Sequence, residues 1–246
     1  MDHMLYIAMS SAAQTMQAQA ANTHNLANAN TTGFRADLAA FQSMPLSGPG
    51  LPSRIYAVEQ NASMDLSPGT ITTTGRELDI AVNGNGWIAV QAEDGSEAYT
   101  RDGNLRISAN GLLETATGHP VLGNGGPIAI PPAEKMEIGA DGTVSIRPLG
   151  QTASTLAVVD RIKLVAPPVE SLEKRSDGLI QVQGGGSSAA DAGVRVLTGS
   201  LESSNVNAIE SMVNMITLAR QYEMQVKLMN TAQSNDAAAT QIMRLA

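Results

Sequence analysis

The side chains that could do chemistry are few and scattered. The chain carries three histidines, His3, His24 and His119, and their positions match no His-x-x-Glu-His type of metal site, so they read as surface or turn residues. It has no cysteines, which removes disulfides, thiolate nucleophiles and Cys-type metal centres and leaves a chain that can fold in an oxidising compartment without mispairing. No Gly-x-Ser-x-Gly elbow is present. Gly84-Asn85-Gly86 resembles the opening of a dinucleotide loop, but Trp87-Ile88-Ala89-Val90 behind it reads as a strand, where a pyrophosphate needs a helix N-terminus. Asp79, Glu93, Asp94 and Asp102 sit in or beside turns, where an Asp bonds its own backbone; a glycosidase pair among them has no sequence signature. Trp87 and Tyr99 are the candidate contacts of a ligand-binding module, but aromatics make up only 3% of the chain, and Trp87 within a strand pattern reads as core. The expectation is no catalytic, cofactor or metal site.

Charge narrows the partners. A net charge of -8 without any Lys/Arg cluster argues against nucleic acid, whose phosphates demand a basic footprint, and an acidic chain is a poor binder of membrane surfaces. No run approaches the roughly 18 apolar residues of a membrane span, so no membrane insertion is expected. MDHMLYIAM lacks the basic region and apolar core of a secretory signal.

The elements must therefore carry the function, and the two ends resemble each other more than either resembles the middle. Residues 4 to 34 and 205 to 245 read as long apolar-striped helices. On the first, Leu5, Met9, Ala12, Met16, Gln19, Thr23 and Leu26 alternate in steps of four and three, the narrow seam of a coiled coil. On the second the steps run Met212, Met215, Ala219, Tyr222, Val226, Met229, Gln233, Asp236, Thr240 and Met243, flanked by Ile209, Val213 and Ile216. From His3 through Phe34 there is no Asp, Glu, Lys or Arg. A solvent-facing helix is rarely so bare, and its Ser, Gln, Asn, Thr and Ala positions can be buried once their amides and hydroxyls find partners. That face reads as packed against other protein chains.

The first helix closes on NLANANTTGFR, Asn25 to Arg35. Asn22, Asn25, Asn28 and Asn30 are poor helix formers that can cap or bond across a close interface. Gly33 offers the left-handed residue that ends a helix, with Phe34 placed to fold back over Ala29 as the apolar contact of a Schellman stop. On that reading valine at position 33 is far worse than alanine.

Between the helices the pattern is β. Residues 36 to about 76 form a Pro/Gly/Ser-rich connector. From Glu77 onward short apolar runs alternate with Asn83-Gly84, Asp94-Gly95, Asp102-Gly103, Asn110-Gly111, Asn124-Gly125, Asp141-Gly142 and Asp177-Gly178, the strongest short-range hairpin signal. GGGSSAADAG marks the exit, the connector strand is expected to pair with VRVLTGSL, Val194 to Leu201, and Ser204, Asn205 or Asn207 should cap the last helix. The fold class is α+β: long N- and C-terminal helices forming a helical (coiled-coil) layer, with an all-β central domain. The expected division is a terminal helical assembly domain at 1-35 and 205-246, a connector at 36-76 and 184-204, and the central β domain at 77-183.

Asn25, Leu26, Ala27 and Asn28 followed by Thr31, Gly33 and Phe34, together with Ser204, Asn205, Val206, Tyr222 and Glu223 near the C-terminus, resemble the motifs of the bacterial flagellar rod, hook and hook-associated proteins. LDIAVNGNGWIAV, YTRDGNL, GLLETATGHPVLG and GPIAIPP resemble their shared β domain, so the likeness covers nearly the whole chain; Trp87-Ile88 departs from the more usual Phe pair. The opening residues and length look most like the proximal rod group. The resemblance implies a structural subunit of the bacterial flagellar basal body, without enzymatic activity. It would polymerise helically through its terminal helices with itself and other flagellar rod proteins to form the drive shaft for motility. It also implies passage through the flagellar type III export apparatus to the rod in the periplasmic space, without a cleaved signal peptide. Alternatives are a distal rod or hook protein, or an oligomeric β-domain binding module. The implied assembly interface comprises Leu5, Met9, Ala12, Met16, Asn25, Leu26, Asn28, Gly33, Phe34, Asn205, Val206, Ile209, Met212, Ile216, Ala219, Tyr222, Val226 and Met229.

Overall fold

A computed structural model describes residues 3–38, 41–45, 55–59, 63–148 and 156–245. The chain divides into two compact units: Met1–Ala29, Ala36–Asp65 and Val206–Ala246 form one, Asn30–Arg35 and Leu66–Asn205 the other. The segments read as connector are thus shared out, 36–65 in the helical unit and 66–76 with 184–204 in the β unit.

The helical unit holds α1, His3–Ala27, and α2, Ala208–Leu245, with short antiparallel pairings of Asp37–Leu38 with Ser63–Met64 and of Phe41–Pro45 with Ile55–Glu59. Helix α1 ends at Ala27, seven residues short of the Phe34 expected from the sequence. The asparagines explain the early stop: the backbone N–H of Asn28 donates to the carbonyl of His24 at 3.2 Å and its side-chain amide donates to the same carbonyl at 2.9 Å. One Asn thereby saturates an orphan acceptor of the last turn. Helix α2 starts on Asn207, whose Oδ1 accepts from the N–H of Ile209 at 3.1 Å and of Glu210 at 3.3 Å, an N-cap; Glu210 in the first turn and Arg244 in the last complement the helix dipole.

Helices α1 and α2 pack against each other, and their contacts run antiparallel. Asn22 donates to the carbonyl of Ser211 at 2.7 Å, and Gln225 donates to Ser11 Oγ at 2.8 Å and Thr15 Oγ1 at 3.0 Å. The inward positions are Leu5, Ala8, Ala12, Thr15, Gln19, Asn22 and Leu26 on α1, with Ser211, Met215, Leu218, Gln225, Met229 and Ala232 on α2. The period is the expected one, but alternate positions of the seam fall one residue earlier: Ala8, Thr15 and Asn22 replace Met9, Met16 and Thr23, and Ser211 replaces Met212. Ala8, Thr15 and Ser211 let the two backbones approach closely, whereas Asn22 and Gln225 hold their inward places by hydrogen bonds across the pair. The small-neutral positions read as facing other chains therefore pair the helices of one chain.

The β unit carries an antiparallel five-stranded sheet in the order Leu164–Val165, Trp87–Gln91, Glu97–Thr100, Ile180–Val182, Leu172–Lys174. A three-stranded sheet runs Ala133–Ile138, Thr143–Pro148, Ala157–Arg161. Two-stranded pairs join Leu105–Ile107 to Leu113–Thr115, Ile80–Asn83 to Arg195–Thr198, and Ile71–Thr73 to Ser200–Glu202; the connector thus meets only the end of VRVLTGSL, whose main part pairs with Ile80–Asn83. Trp87, Ile88, Ala89 and Val90 are all buried, so both faces of that strand are covered. Ile80, Ile88, Val90, Leu105, Leu113, Val121, Ile128, Val144, Ile162 and Leu164 form the core. Of the seven Asn-Gly and Asp-Gly pairs, four close hairpins between paired neighbours: Asp94-Gly95, Asn110-Gly111, Asp141-Gly142 and Asp177-Gly178.

Candidate assembly surface

The outer side of the helix pair carries exposed apolar residues. Met9 and Met16, 54% and 57% exposed, flank the α1 seam about 80–100° round from Ala8 at roughly 100° per residue. On α2, Ile209, Met212, Val213 and Ile216 occupy i, i+3, i+4 and i+7 on the side opposite Leu218 and Gln225, with Met212 and Ile216 52% and 55% exposed. Tyr222 is also exposed, Ala219, Val226 and Met229 are half-buried, Leu5 and Leu26 are half-buried, and Ala12 is buried. A contiguous exposed apolar stripe marks an interaction surface.

Asn22, Asn25 and Asn28 have distinct partners. Asn22 joins α1 to α2. Asn25 clamps the strand after the turn at two points: its amide donates to the carbonyl of Asp37 at 2.8 Å while its Oδ1 accepts from the N–H of Asp37 at 2.8 Å, as a neighbouring β-strand would. His24 Nδ1 lies 2.7 Å from Asp37 Oδ2, which gives this histidine a structural partner in place of a ligand. Asn28 closes the helix. Val206 belongs to this unit too.

Gly33, Phe34 and Asn205 belong to the β unit. Gly33 has φ +67°, the left-handed conformation expected, but it does not end a helix. It sits in a turn, with the N–H of Phe34 donating to the carbonyl of Thr31 at 3.4 Å. Its Cα faces the backbone of Arg101 and Asp102: a Cβ there would lie 2.2 Å from the Arg101 carbonyl carbon and 2.4 Å from Asp102 N. Alanine therefore already collides, which narrows the expected gap between alanine and valine at this position. Lys174 Nζ lies 4.3 Å from the Phe34 ring centroid, a cation–π contact. Asn205 does not cap α2; its amide donates to the carbonyl of Ser67 at 3.1 Å.

Sequence reading missed the buried ion cluster beside this turn. Glu202 accepts from Arg35 Nη2 at 2.6 Å and Arg101 Nη1 at 3.0 Å, with all three side chains buried. The Arg35 and Arg101 guanidinium carbons lie 5.7 and 5.0 Å from the Trp87 ring centroid. Burial pushes the Arg101 guanidinium pKa down against the pull of the Glu202 carboxylate. Arg35 and Glu202 stand within the two terminal motifs, and that placement was the available signal.

Asp79, Asp94 and Asp102, three of the four carboxylates weighed for catalysis, have structural partners. Asp102 Oδ1 accepts from Thr32 Oγ1 at 2.6 Å and from the Asn104 N–H at 3.1 Å; burial raises its pKa, opposed by these bonds. Asp79 accepts from Thr74 Oγ1 at 2.6 Å. Asp94 is held down to about 2 by the hydroxyl and backbone N–H of Ser96 and by Arg175. Among the described residues no cluster of His, Cys, Asp or Glu could hold a metal ion, and no helix is long and apolar enough to cross a membrane.

Comparison with known proteins agrees with this geometry. Three family models match: Flagella basal body rod protein over residues 5–35, Flagellar hook protein FlgE/F/G D1 domain over 81–146, and Flagellar basal body rod FlgEFG protein C-terminal over 197–242. The flagellar basal-body rod protein FlgF of Salmonella typhimurium is 41% identical over 251 aligned positions, covering 100% of both chains, and that of Escherichia coli matches to the same extent. The rod protein FlgG of Buchnera aphidicola is 34% identical over 85% of this chain and 88% of its own. With a relative 41% identical along its full length and family models matched near both ends and in the β unit, the chain belongs to the family of flagellar basal-body rod proteins.

Proposed function

We propose that this structural subunit of the flagellar basal-body rod joins its neighbours through the outer face of the α1–α2 pair, and that copies polymerise helically with themselves and with other rod proteins to form a coiled-coil-like helical layer of the drive shaft. The observation that carries this reading is the exposed stripe Ile209, Met212, Val213 and Ile216 beside a helix without charge from His3 to Phe34. Burying such a stripe is favourable at about 25 cal/mol per Å², and a neighbour without Asp, Glu, Lys or Arg adds no cost of desolvating those charges. The position in the proximal rod rests on full-length similarity to proteins named FlgF, against partial coverage by those named FlgG. An oligomeric binding module has no support from the relatives. Passage through the flagellar export apparatus to the periplasmic space without a cleaved signal peptide, and the absence of nucleic-acid and membrane partners, complete the reading; the -8 charge supports the latter.

The test is Ile216→Glu and Met9→Glu in cells. Both side chains are more than half exposed, so the monomer should fold normally, whereas a carboxylate buried between subunits costs several kcal/mol per copy. Export and folding intact with rods unfinished is the expected result. Normal rods built from both variants would remove the outer face from the assembly.

A further inference from the structure

Three stretches of backbone converge on Glu202 within the β unit. Its carboxylate accepts from Arg35, from Arg101 and from the N–H of Gly69 at 2.8 Å. Its carbonyl accepts from the N–H of Gly33 at 2.8 Å. Beside it the Ser203 N–H donates to the Thr70 carbonyl at 2.9 Å, and the Asn205 N–H to the Phe34 carbonyl at 3.4 Å. Residues 30–35, 66–70 and 202–205 are the ends from which the chain leaves this unit, and one carboxylate touches all three.

The charge count makes that carboxylate indispensable. Two buried guanidiniums share one buried carboxylate, and Arg35 Nε, Arg35 Nη1 and Arg101 Nε have no hydrogen-bond partner. Arg101 also donates to the carbonyls of Gly84 at 2.7 Å and Val82 at 3.4 Å, and the Trp87 face adds attraction to both guanidiniums. Removing one member of such a group strands the others without water, so their order is interdependent. Gly69 is fitted to the same place, since a Cβ there would lie 1.9 Å from the Ser203 carbonyl oxygen.

We propose that Glu202 is a positioning residue that couples the ordering of the TTGFR segment to that of the LESSN segment, so that both terminal motifs become fixed in a single step. Its bearing on assembly rests on the rod-subunit reading; the coupling itself belongs to the monomer. Arg101 is the discriminating residue, because it lies outside both motifs yet completes the cluster.

Hydrogen exchange read by mass spectrometry on the full-length monomer tests this, with wild type, Glu202→Gln, Arg35→Met, Arg101→Met and Arg101→Lys. In the first three variants, peptides covering 30–35 and 200–205 should lose protection together, by roughly 100-fold or more for a broken buried pair, while those covering 87–91 and 97–100 hold. Arg101→Lys, which keeps the charge, should restore most of the protection. The fluorescence of Trp87, the single tryptophan, should shift in step. Loosening of one segment alone, unchanged exchange in Arg101→Met, or equal loss across the core peptides would each overturn the coupling. These readouts are independent of rod formation, so failure of the helix-face test leaves them standing, and the reverse holds.

Discussion

Replacing Gly33 separates backbone conformation from close approach, because Gly75 provides a matched control. Both are left-handed, at φ +67° and +75°, and an L-residue there costs about 1–2 kcal/mol. A Cβ at Gly75 meets nothing within 4 Å, whereas at Gly33 it lies 2.2 Å from the Arg101 carbonyl carbon and 2.5 Å from its oxygen. Those are backbone atoms and cannot swing away, so overpacking adds about 1–3 kcal/mol. The shift also lengthens the bond from the Gly33 N–H to the Glu202 carbonyl, 2.8 Å in the native turn. Gly33→Ala should therefore cost about 2–5 kcal/mol against about 1–2 for Gly75→Ala. Urea unfolding followed by Trp87 fluorescence measures this, and with a slope of about 2 kcal/mol per M a gap of about 2 kcal/mol separates the midpoints by about 1 M. Gly33→Val should differ from Gly33→Ala by less than alanine differs from glycine, since the first carbon already collides. Equal midpoints for Gly33→Ala and Gly75→Ala would refute the close-approach argument.

Three further outcomes follow from individual sites. Tyr99 donates to Glu97 Oε1 at 3.0 Å and accepts from the Ser188 N–H at 2.8 Å, and burial raises its pKa to about 12; stability from the neutral phenol is complete below pH 10 and is lost as pH climbs through 12, so Tyr99→Phe should abolish a late step in a spectrophotometric titration. Two aspartates act in opposite directions: the depressed Asp94 contributes stability above its unfolded value that is lost as pH falls from about 4 toward about 2, while the raised Asp102 favours the fold at low pH and loses that contribution as pH rises through its folded value. Asp94→Asn should flatten the acid limb of a melting-temperature profile, and Asp102→Asn, which keeps the Oδ1 acceptor, should leave neutral-pH stability within about 1 kcal/mol and remove the opposing slope. Asn207→Ala removes the α2 cap and should cost about 0.5–2 kcal/mol, seen as reduced helical circular dichroism.

What a single sequence discloses here follows the range of the interactions. Hairpins such as Asp94-Gly95 are written in adjacent residues, and the connector pairing of Ile71–Thr73 with Ser200–Glu202 was legible in part because each strand ends at a marked turn. The helix periods were legible too, and so were Leu5, Ala12, Gln19 and Leu26, but the alternate positions were not: methionines outweigh alanine and threonine in any apolar count, yet Ala8 and Thr15 face inward and Met9 and Met16 outward, because close helix approach rewards small side chains. Gly33 was identified as left-handed for the wrong reason, since the helix had already stopped on Asn28 and the glycine serves the approach of Arg101. The Arg35–Glu202 pair spans 167 residues; charged side chains read as surface, and nothing local shows that these two bury together.

The central claim is that the outer face of the α1–α2 pair is the contact between subunits, and a high-resolution cryo-electron microscopy map of the assembled basal body tests it most directly. Met9, Met16, Met212 and Ile216, all more than half exposed in the free chain, should be buried against helices of neighbouring subunits. A map in which these side chains face open solvent, with subunits joined through their β units alone, would contradict the account.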